Sequence, residues 1–259
     1  MNTRIDDKLN EPHDVRRKLL ATMMREKVAK ETQEFPLSSG QEALWFLHHS
    51  SPRSFAYHVA FCVRVRSSLD DDLMRRALQT LVDRHAALRT TFHTGREGAV
   101  QRVSGYVPVA FDVTDAVFDE EEMFSRARES YEKAFDLESG PLFRASLFRR
   151  SDEDSLLLLT VHHLVFDGWS LWKIVDELGQ LYEGKLEKRA VKLPEIKSSY
   201  KDHIFAQREI SCSAIGERLW EYWQRELIGE PPLLKLPSEL TRPPIQTFNG
   251  ASRSPTASH

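Results

Sequence analysis

With 259 residues, 41% of them hydrophobic, the chain carries enough apolar material for one sizeable core plus appended helices. Its 36 basic and 39 acidic residues leave a formal charge of -3, which excludes a global pull toward nucleic acid or an anionic membrane and makes any basic docking patch a local one. Cys62 and Cys212 form no Cys-x-x-Cys pair, which excludes a disulfide framework or a zinc knuckle, so a cytoplasmic setting is expected.

In chain order, residues 1–34 read as an N-terminal linker or docking helix. The apolar stretch Leu19–Met24 is too short, and too closely flanked by charge, for a secretory signal or a membrane span. Asp14 can cap a helix whose Leu19, Met23, Val28 and Ala29 form a loose amphipathic stripe. From residue 35 to 250 the pattern is α/β. A helix is expected over 40–49 and a strand over 58–65. Asp70 or Asp71 should cap a helix over 72–85, with Leu73, Ala77, Leu78, Leu81 and Val82 facing a sheet. A strand over 88–93 should turn at Gly95 to Gly98 into a strand over 100–103. An amphipathic helix is expected over 119–135, then a strand on which Phe143, Ala145 and Leu147 share a face.

Ser155–Val161, a short apolar run between acidic residues and Gly168, suits a buried strand. Ser170 should open a helix that ends at Gly184, a glycine placed as a terminator. Residues 185–198 read as linker, and 200–208 and 217–227 as helices, with Trp220 and Trp223 on one side as core. The polar stretch 251–259 reads as a disordered tail.

The chemistry concentrates at Val161-His-His-Leu-Val-Phe-Asp-Gly-Trp-Ser170. Neighbouring side chains on a strand point to opposite faces, so of His162 and His163 one should face a cavity and the other the interior. An imidazole titrates near neutrality and can take a proton from an attacking nucleophile and pass it on. The same residues also fit a pair of hydrogen-bonded core histidines beside a turn-forming Asp-Gly. His and Asp are metal ligands too, but no Cys or further His stands at ligand spacing nearby, so no metal is expected.

His-His-x-x-x-Asp-Gly-Trp-Ser resembles the active-site signature of condensation domains from nonribosomal peptide synthetases. Three further segments are similar to that family's motifs in order and approximate spacing: Leu37-Ser-Ser-Gly-Gln-Glu-Ala-Leu-Trp-Phe-Leu47, Arg84-His-Ala-Ala-Leu-Arg-Thr-Thr-Phe92 and Tyr200-Lys-Asp202. The resemblance implies a chloramphenicol acetyltransferase-like α/β fold, a mixed-sheet sandwich flanked by helices. It also implies that residues 35–250 are the N-terminal lobe of a two-lobed domain, because no counterpart of the later motifs follows Gly250.

The implied reaction joins an acceptor amine to a donor acyl group. Both would be presented as phosphopantetheine thioesters by donor and acceptor peptidyl carrier proteins, with no cofactor bound directly. His163 would take a proton from the attacking amine or hold it by a hydrogen bond, beside His162. Gly168 would allow close approach near the reacting carbonyl, and Trp169 and Ser170 would shape the pocket wall. The resemblance implies an ion pair between Asp167 and Arg84 or Arg89; the spacing also admits Asp167 as the group that orients His163. Further implied partners are the C-terminal lobe and neighbouring synthetase domains, with no nucleic acid and no membrane. The Asp-rich signature of heterocyclising relatives is absent, the Gly-Trp-Ser ending departs from epimerising ones, and His48-His49 lacks the ending of dual-function ones, so ordinary amide formation is expected. Two alternatives stand beside it: a coenzyme A-dependent acyltransferase of the same superfamily, and a non-catalytic carrier-binding remnant. The half-domain is expected to be inactive alone.

Overall fold

A computed structural model describes residues 22–24, 28, 31–96, 98–116 and 119–229. Apart from the helical residues 22–24 and 28, the N-terminal helix expected over 14–29 lies outside the described residues, as does the tail at 251–259. The chain divides into two compact units, residues 1–204 and 205–259. In order, the elements are β1 (Thr32–Pro36), α1 (Ser39–Ser50), β2 (His58–Val65), α2 (Asp71–Arg84), β3 (Thr90–Gly95), β4 (Gly98–Ser104), β5 (Ala110–Asp115), α3 (Glu120–Glu132), β6 (Phe143–Ser151), β7 (Asp154–His162), α4 (Gly168–Leu186), α5 (Tyr200–Ser211) and α6 (Ala214–Glu226).

The first unit is built around β7. Its run of four leucines is buried because both faces of its sheet are covered. Leu157, Leu159 and Val161, with Ala145 and Leu147 of β6, pack on Leu78 and Leu81 of α2 and on Ile174, Leu178 and Leu181 of α4. Leu156 and Leu158, with Phe148, pack on Met123 and Ala127 of α3. A strand covered on both sides shows a continuous apolar run rather than alternation, and each such leucine contributes about 2 kcal/mol of burial. The strand order is β2-β7-β6-β5, antiparallel except for the parallel β5–β6 pair. A separate antiparallel sheet, β1-β4-β3, closes through the Gly95–Gly98 hairpin.

Helix starts follow side-chain caps. Asp70 accepts from Leu73 N at 2.9 Å, and Asp119 accepts from Glu122 N at 2.8 Å ahead of three glutamates that suit the positive end of the helix dipole. α1 opens with a capping box. Gln41 N donates to Ser38 Oγ at 3.2 Å, and Ser38 N donates to Gln41 Oε1 at 3.0 Å.

Several expectations need correction. β1 starts at Thr32, so the first sheet crosses the boundary drawn between residues 34 and 35. Residues 86–89 form a 3-10 turn, and the strand starts only at Thr90. β5 was not foreseen, because its edge position and parallel pairing leave little sequence pattern. Gly184 does not stop α4, which runs to Leu186. A Cβ on Gly184 would lie 2.0 Å from Val191 Cγ2, so glycine there admits the returning chain. That returning chain is no solvated linker, since Val191 and Leu193 pack against the main core. In the second unit, Trp220 and Trp223 are exposed on α6 rather than buried.

Candidate active site

The end of β7 separates its two histidines. His162, the last strand residue, is buried, with its ring centroid 6.1 Å from those of His58 and Phe135 and 6.0 Å from that of His48. Its Nδ1 accepts from Leu164 N at 3.2 Å, which requires an unprotonated Nδ1. Burial, reinforced by His58, His48 and His163 nearby, pushes its pKa down to about 3, so the ring is neutral at physiological pH. His58 is fixed by Nδ1–H donation to Tyr131 O at 2.7 Å.

His163 faces the other way and is exposed. Its backbone is anchored: His163 N donates to Tyr57 O at 2.8 Å, and in the following turn Val165 N donates to His162 O at 3.1 Å. Its imidazole makes no hydrogen bond to any described residue and stands at the edge of a cavity of about 1030 Å³. Phe35, Leu44, Val103, Leu164, Val165 and Phe166 supply apolar walls, while Gln41, Gln101, Asp167, Ser170 and Tyr200 supply polar ones. A cavity of this size lies at the upper end of the range that small-molecule sites occupy.

Asp167 does not make the expected ion pair. It is the N-cap of α4, accepting from Ser170 N at 2.8 Å and Ser170 Oγ at 2.7 Å; these bonds, aided by His163 nearby, hold its carboxyl below the usual range. Both arginines are engaged elsewhere. Arg84 pairs with the buried Glu177 at 3.1 Å. Arg89 donates through Nε to Val82 O at 2.9 Å, through Nη1 to Ser104 O and Gly105 O, and through Nη2 to Asp83 O at 3.3 Å; burial lowers its pKa. A cap bond forms within one helical turn, whereas each arginine is already engaged, Arg84 by Glu177 and Pro194 O and Arg89 by carbonyls. Asp167 also shares no hydrogen bond with His163. Its hold on Ser170 fixes the start of α4 instead.

Of the expected pocket wall, Ser170 lines the cavity, but Trp169 is 86% exposed and does not. Gly168 begins α4, and a Cβ there would meet nothing within 4 Å, so the fold itself does not require glycine at that place. Among the described residues, no group of three His, Cys, Asp or Glu is arranged to hold a metal ion, and no helix is long and apolar enough to cross a membrane.

Other residues in or near the site carried no individual role in the sequence, although Gln41 and Tyr200 stand inside its motifs. Gln41 and Gln101 are buried at the cavity wall, joined by a 2.8 Å bond from Gln101 Nε2 to Gln41 Oε1. Gln41 Nε2 donates to Leu164 O at 3.0 Å. Tyr200 Oη and Ser38 Oγ share a hydrogen bond of 2.8 Å that ties the start of α5 to the cap of α1. Glu177 Oε2 takes His85 Nε2 at 2.6 Å as well as Arg84. Burial would raise its pKa, but the hydrogen bonds and charges of His85 and Arg84 outweigh that and hold it below the ordinary value. The available signal was polar residues at helix-interior or strand positions, where burial demands a partner.

A family profile described as "Condensation domain" matches residues 31–258. The chain is 34% identical over 227 residues to one of the linear gramicidin synthase proteins of Brevibacillus parabrevis, covering 86% of this chain and 4% of that one. It is 33% identical over 216 residues to tyrocidine synthase 3 of the same organism, covering 83% of this chain and 3% of that one. Among solved structures it is similar to the starter condensation domain of rhizomide synthetase, with a TM-score of 0.70 at 20% identity, covering 77% of this chain and 49% of that one. It is also similar to the first condensation domain of the calcium-dependent antibiotic synthetase, with a TM-score of 0.68 at 24% identity, covering 77% of this chain and 49% of that one. The chain thus spans a small part of its curated relatives and about half of the solved domains, whose chloramphenicol acetyltransferase-like fold it shares. With its ordered motifs gathered around one cavity and a profile match over most of its length, the chain belongs to the condensation-domain family.

Proposed function

We propose that this chain supplies the histidine-bearing half of a site that forms amide bonds between thioester-tethered acyl or aminoacyl groups. The observation that supports the reading most is the pair of fates at the end of β7. His162 is buried and neutral, and His163 next to it presents a ring with no hydrogen bond to the described residues at the edge of the large cavity.

In the proposed step, the amine of the acceptor attacks the donor thioester carbonyl. The N–C bond forms, the C–S bond breaks, and the proton lost by nitrogen passes to His163 and then to the departing thiolate, which leaves as a thiol. A thioester is already activated, so holding two tethered substrates together supplies much of the rate. His163 would receive the amine's hydrogen bond in place and take its proton as the bond forms. The phosphopantetheine arms belong to donor and acceptor carrier proteins and arrive with the substrates. Gly168 would allow close approach to the reacting carbonyl, a role favoured by the open space where its Cβ would stand. Because the chain spans about half of the solved condensation domains, turnover by residues 1–259 alone should be weak.

The test is condensation of a loaded donor carrier with a soluble amine, run with and without a separately expressed second half of the domain, alongside His163→Ala. Product that requires the second half and disappears in the variant supports the proposal. Equal turnover with free coenzyme A thioesters and no carrier would favour a coenzyme A-dependent acyltransferase, and carrier binding without product would favour a binding module.

A further inference from the structure

We propose that Gln41 is a positioning residue for His163, a role that deepens the proposed function and rests on His163 being the working imidazole. Four bonds converge on this one buried side chain. Its Oε1 accepts from Ser38 N at 3.0 Å and from Gln101 Nε2 at 2.8 Å, and its Nε2 donates to Leu164 O at 3.0 Å and faces Gln101 Oε1 at 3.5 Å. Gln101 Nε2 also donates to Pro36 O at 3.0 Å. The amide therefore links the first turn of α1, strand β4 and the end of β1 to the residue that directly follows His163.

The bond to Leu164 O is the consequential one. His163 and Leu164 leave β7 in a turn whose other backbone ties are His163 N to Tyr57 O, Leu164 N to the His162 ring, Val165 N to His162 O at 3.1 Å and Phe166 N to His163 O at 3.5 Å. None of those bonds holds the Leu164 carbonyl. Gln41 alone among the described side chains is bonded to the Leu164 carbonyl, on the cavity side. A buried carbonyl that loses its donor turns or recruits water, and either movement rotates the Leu164–Val165 peptide, whose Val165 N closes the turn back onto His162 O, so the disturbance reaches His163 through that turn. A saturated side-chain network of this kind rigidifies what it touches, and small displacements of a reacting group are costly to rate.

Gln41 is also the N3 residue of the capping box, so its loss weakens α1, and the test must separate that from an effect on His163. Ser38→Ala removes the Oγ cap but leaves the amide bond to Leu164 O in place. Gln41→Glu, read with the carboxylate ionised, keeps the oxygen that receives Ser38 N and Gln101 Nε2 and replaces the Nε2 that donates to Leu164 O and, at 3.5 Å, faces Gln101 Oε1. Gln41→Met removes all of them. The readout, taken on the full chain, is the ring resonances of His163, assigned with His163→Gln, together with hydrogen exchange at the His163 amide.

In both Gln41 variants the His163 ring signals should shift and broaden, and exchange at its amide should quicken by about tenfold. In Ser38→Ala both should match the wild type even though the melting temperature falls. Unchanged His163 signals in folded Gln41→Glu would overturn the proposal, and so would equal changes in Ser38→Ala. Neither reading requires turnover, so failure here is distinguishable from failure of the proposed amide synthesis. A His163 ring that responds to Gln41 substitution in a chain that forms no amide would sink the function and leave the positioning intact.

Discussion

On one side of the β7 terminus, His162, His58, Phe135 and His48 pack ring against ring. On the other, one residue later, His163 meets solvent and the edge of a 1030 Å³ cavity. The same residue type thus serves as a packed, neutral, hydrogen-bonded wedge and as an imidazole with no hydrogen bond to the described residues. Position at or just past the strand end decides which. The contrast teaches that the exposed ring is held by its backbone and by its neighbours rather than by bonds to its own side chain. Stability should therefore be sensitive to the buried ring and chemistry to the exposed one.

The largest test of that contrast is pH. His162 has its folded pKa depressed to about 3, and those of His58 and His48 are also lowered, in each case chiefly by burial. As pH falls through about 6.5, these groups protonate in the unfolded chain but not in the folded one, so the unfolded state binds more protons and stability falls. The stability is fully present above pH ~6.5 and is lost progressively toward the folded values. For His162 the full loss is on the order of 5 kcal/mol. The charged or titratable groups facing this cluster are Arg144 beside His58, Asp136 and His49 beside His48, and His163 beside His162. Thermal unfolding at about pH 7 and pH 5, above the range in which carboxylates protonate, should show a falling melting temperature. A flat profile would mean that the rings are wet.

His162→Ala should come next. It removes a packed ring and leaves Leu164 N without its acceptor, for a cost of about 3 kcal/mol by denaturant unfolding. The variant should also lose most of the histidine-linked pH dependence. Retention of that dependence would assign it to His58 and His48 instead.

Asp167→Ala separates two readings of the motif. Loss of a helix cap costs about 1 kcal/mol, whereas breaking a buried ion pair would cost about 3 to 5. The cap geometry at Ser170 leads us to expect the smaller value. Glu177→Ala, which strands Arg84 and His85, should cost more than Asp167→Ala.

These contrasts mark how far the sequence could be read. Strand alternation is local and obligatory, so the opposite fates of His162 and His163 follow from adjacency at the end of a leucine run. Helix stripes such as Leu78 and Leu81 announce their covered face for the same reason. The Asp167 partner was not legible, because the aspartate stands one turn ahead of a backbone amide and the competition between cap and distant arginine is settled by where the arginines already bond. Trp220 and Trp223 are apolar but exposed, and composition alone does not tell covered from uncovered. Gly184 looked like a terminator and proved to be a packing clearance, because the segment it admits lies seven residues downstream. Gln41 was hidden inside a motif, since its role depends on Leu164, 123 residues away.

The smallest expected effect on the fold is the one that tests the comparison most directly. His163→Ala removes an exposed ring that bonds to no described residue, so its stability should lie within about 0.5 kcal/mol of the wild type. Its backbone bond to Tyr57 O survives the substitution, and so should the turn that follows. In the presence of the second half of the domain, condensation should nonetheless fall by about a hundredfold or more, the lower end of the range for loss of a positioned general base. A folded variant with undiminished turnover would leave positioning of the two thioesters as the source of rate. An unfolded variant would show that the open side of β7 carries structural weight, and the division between its two histidines would fail.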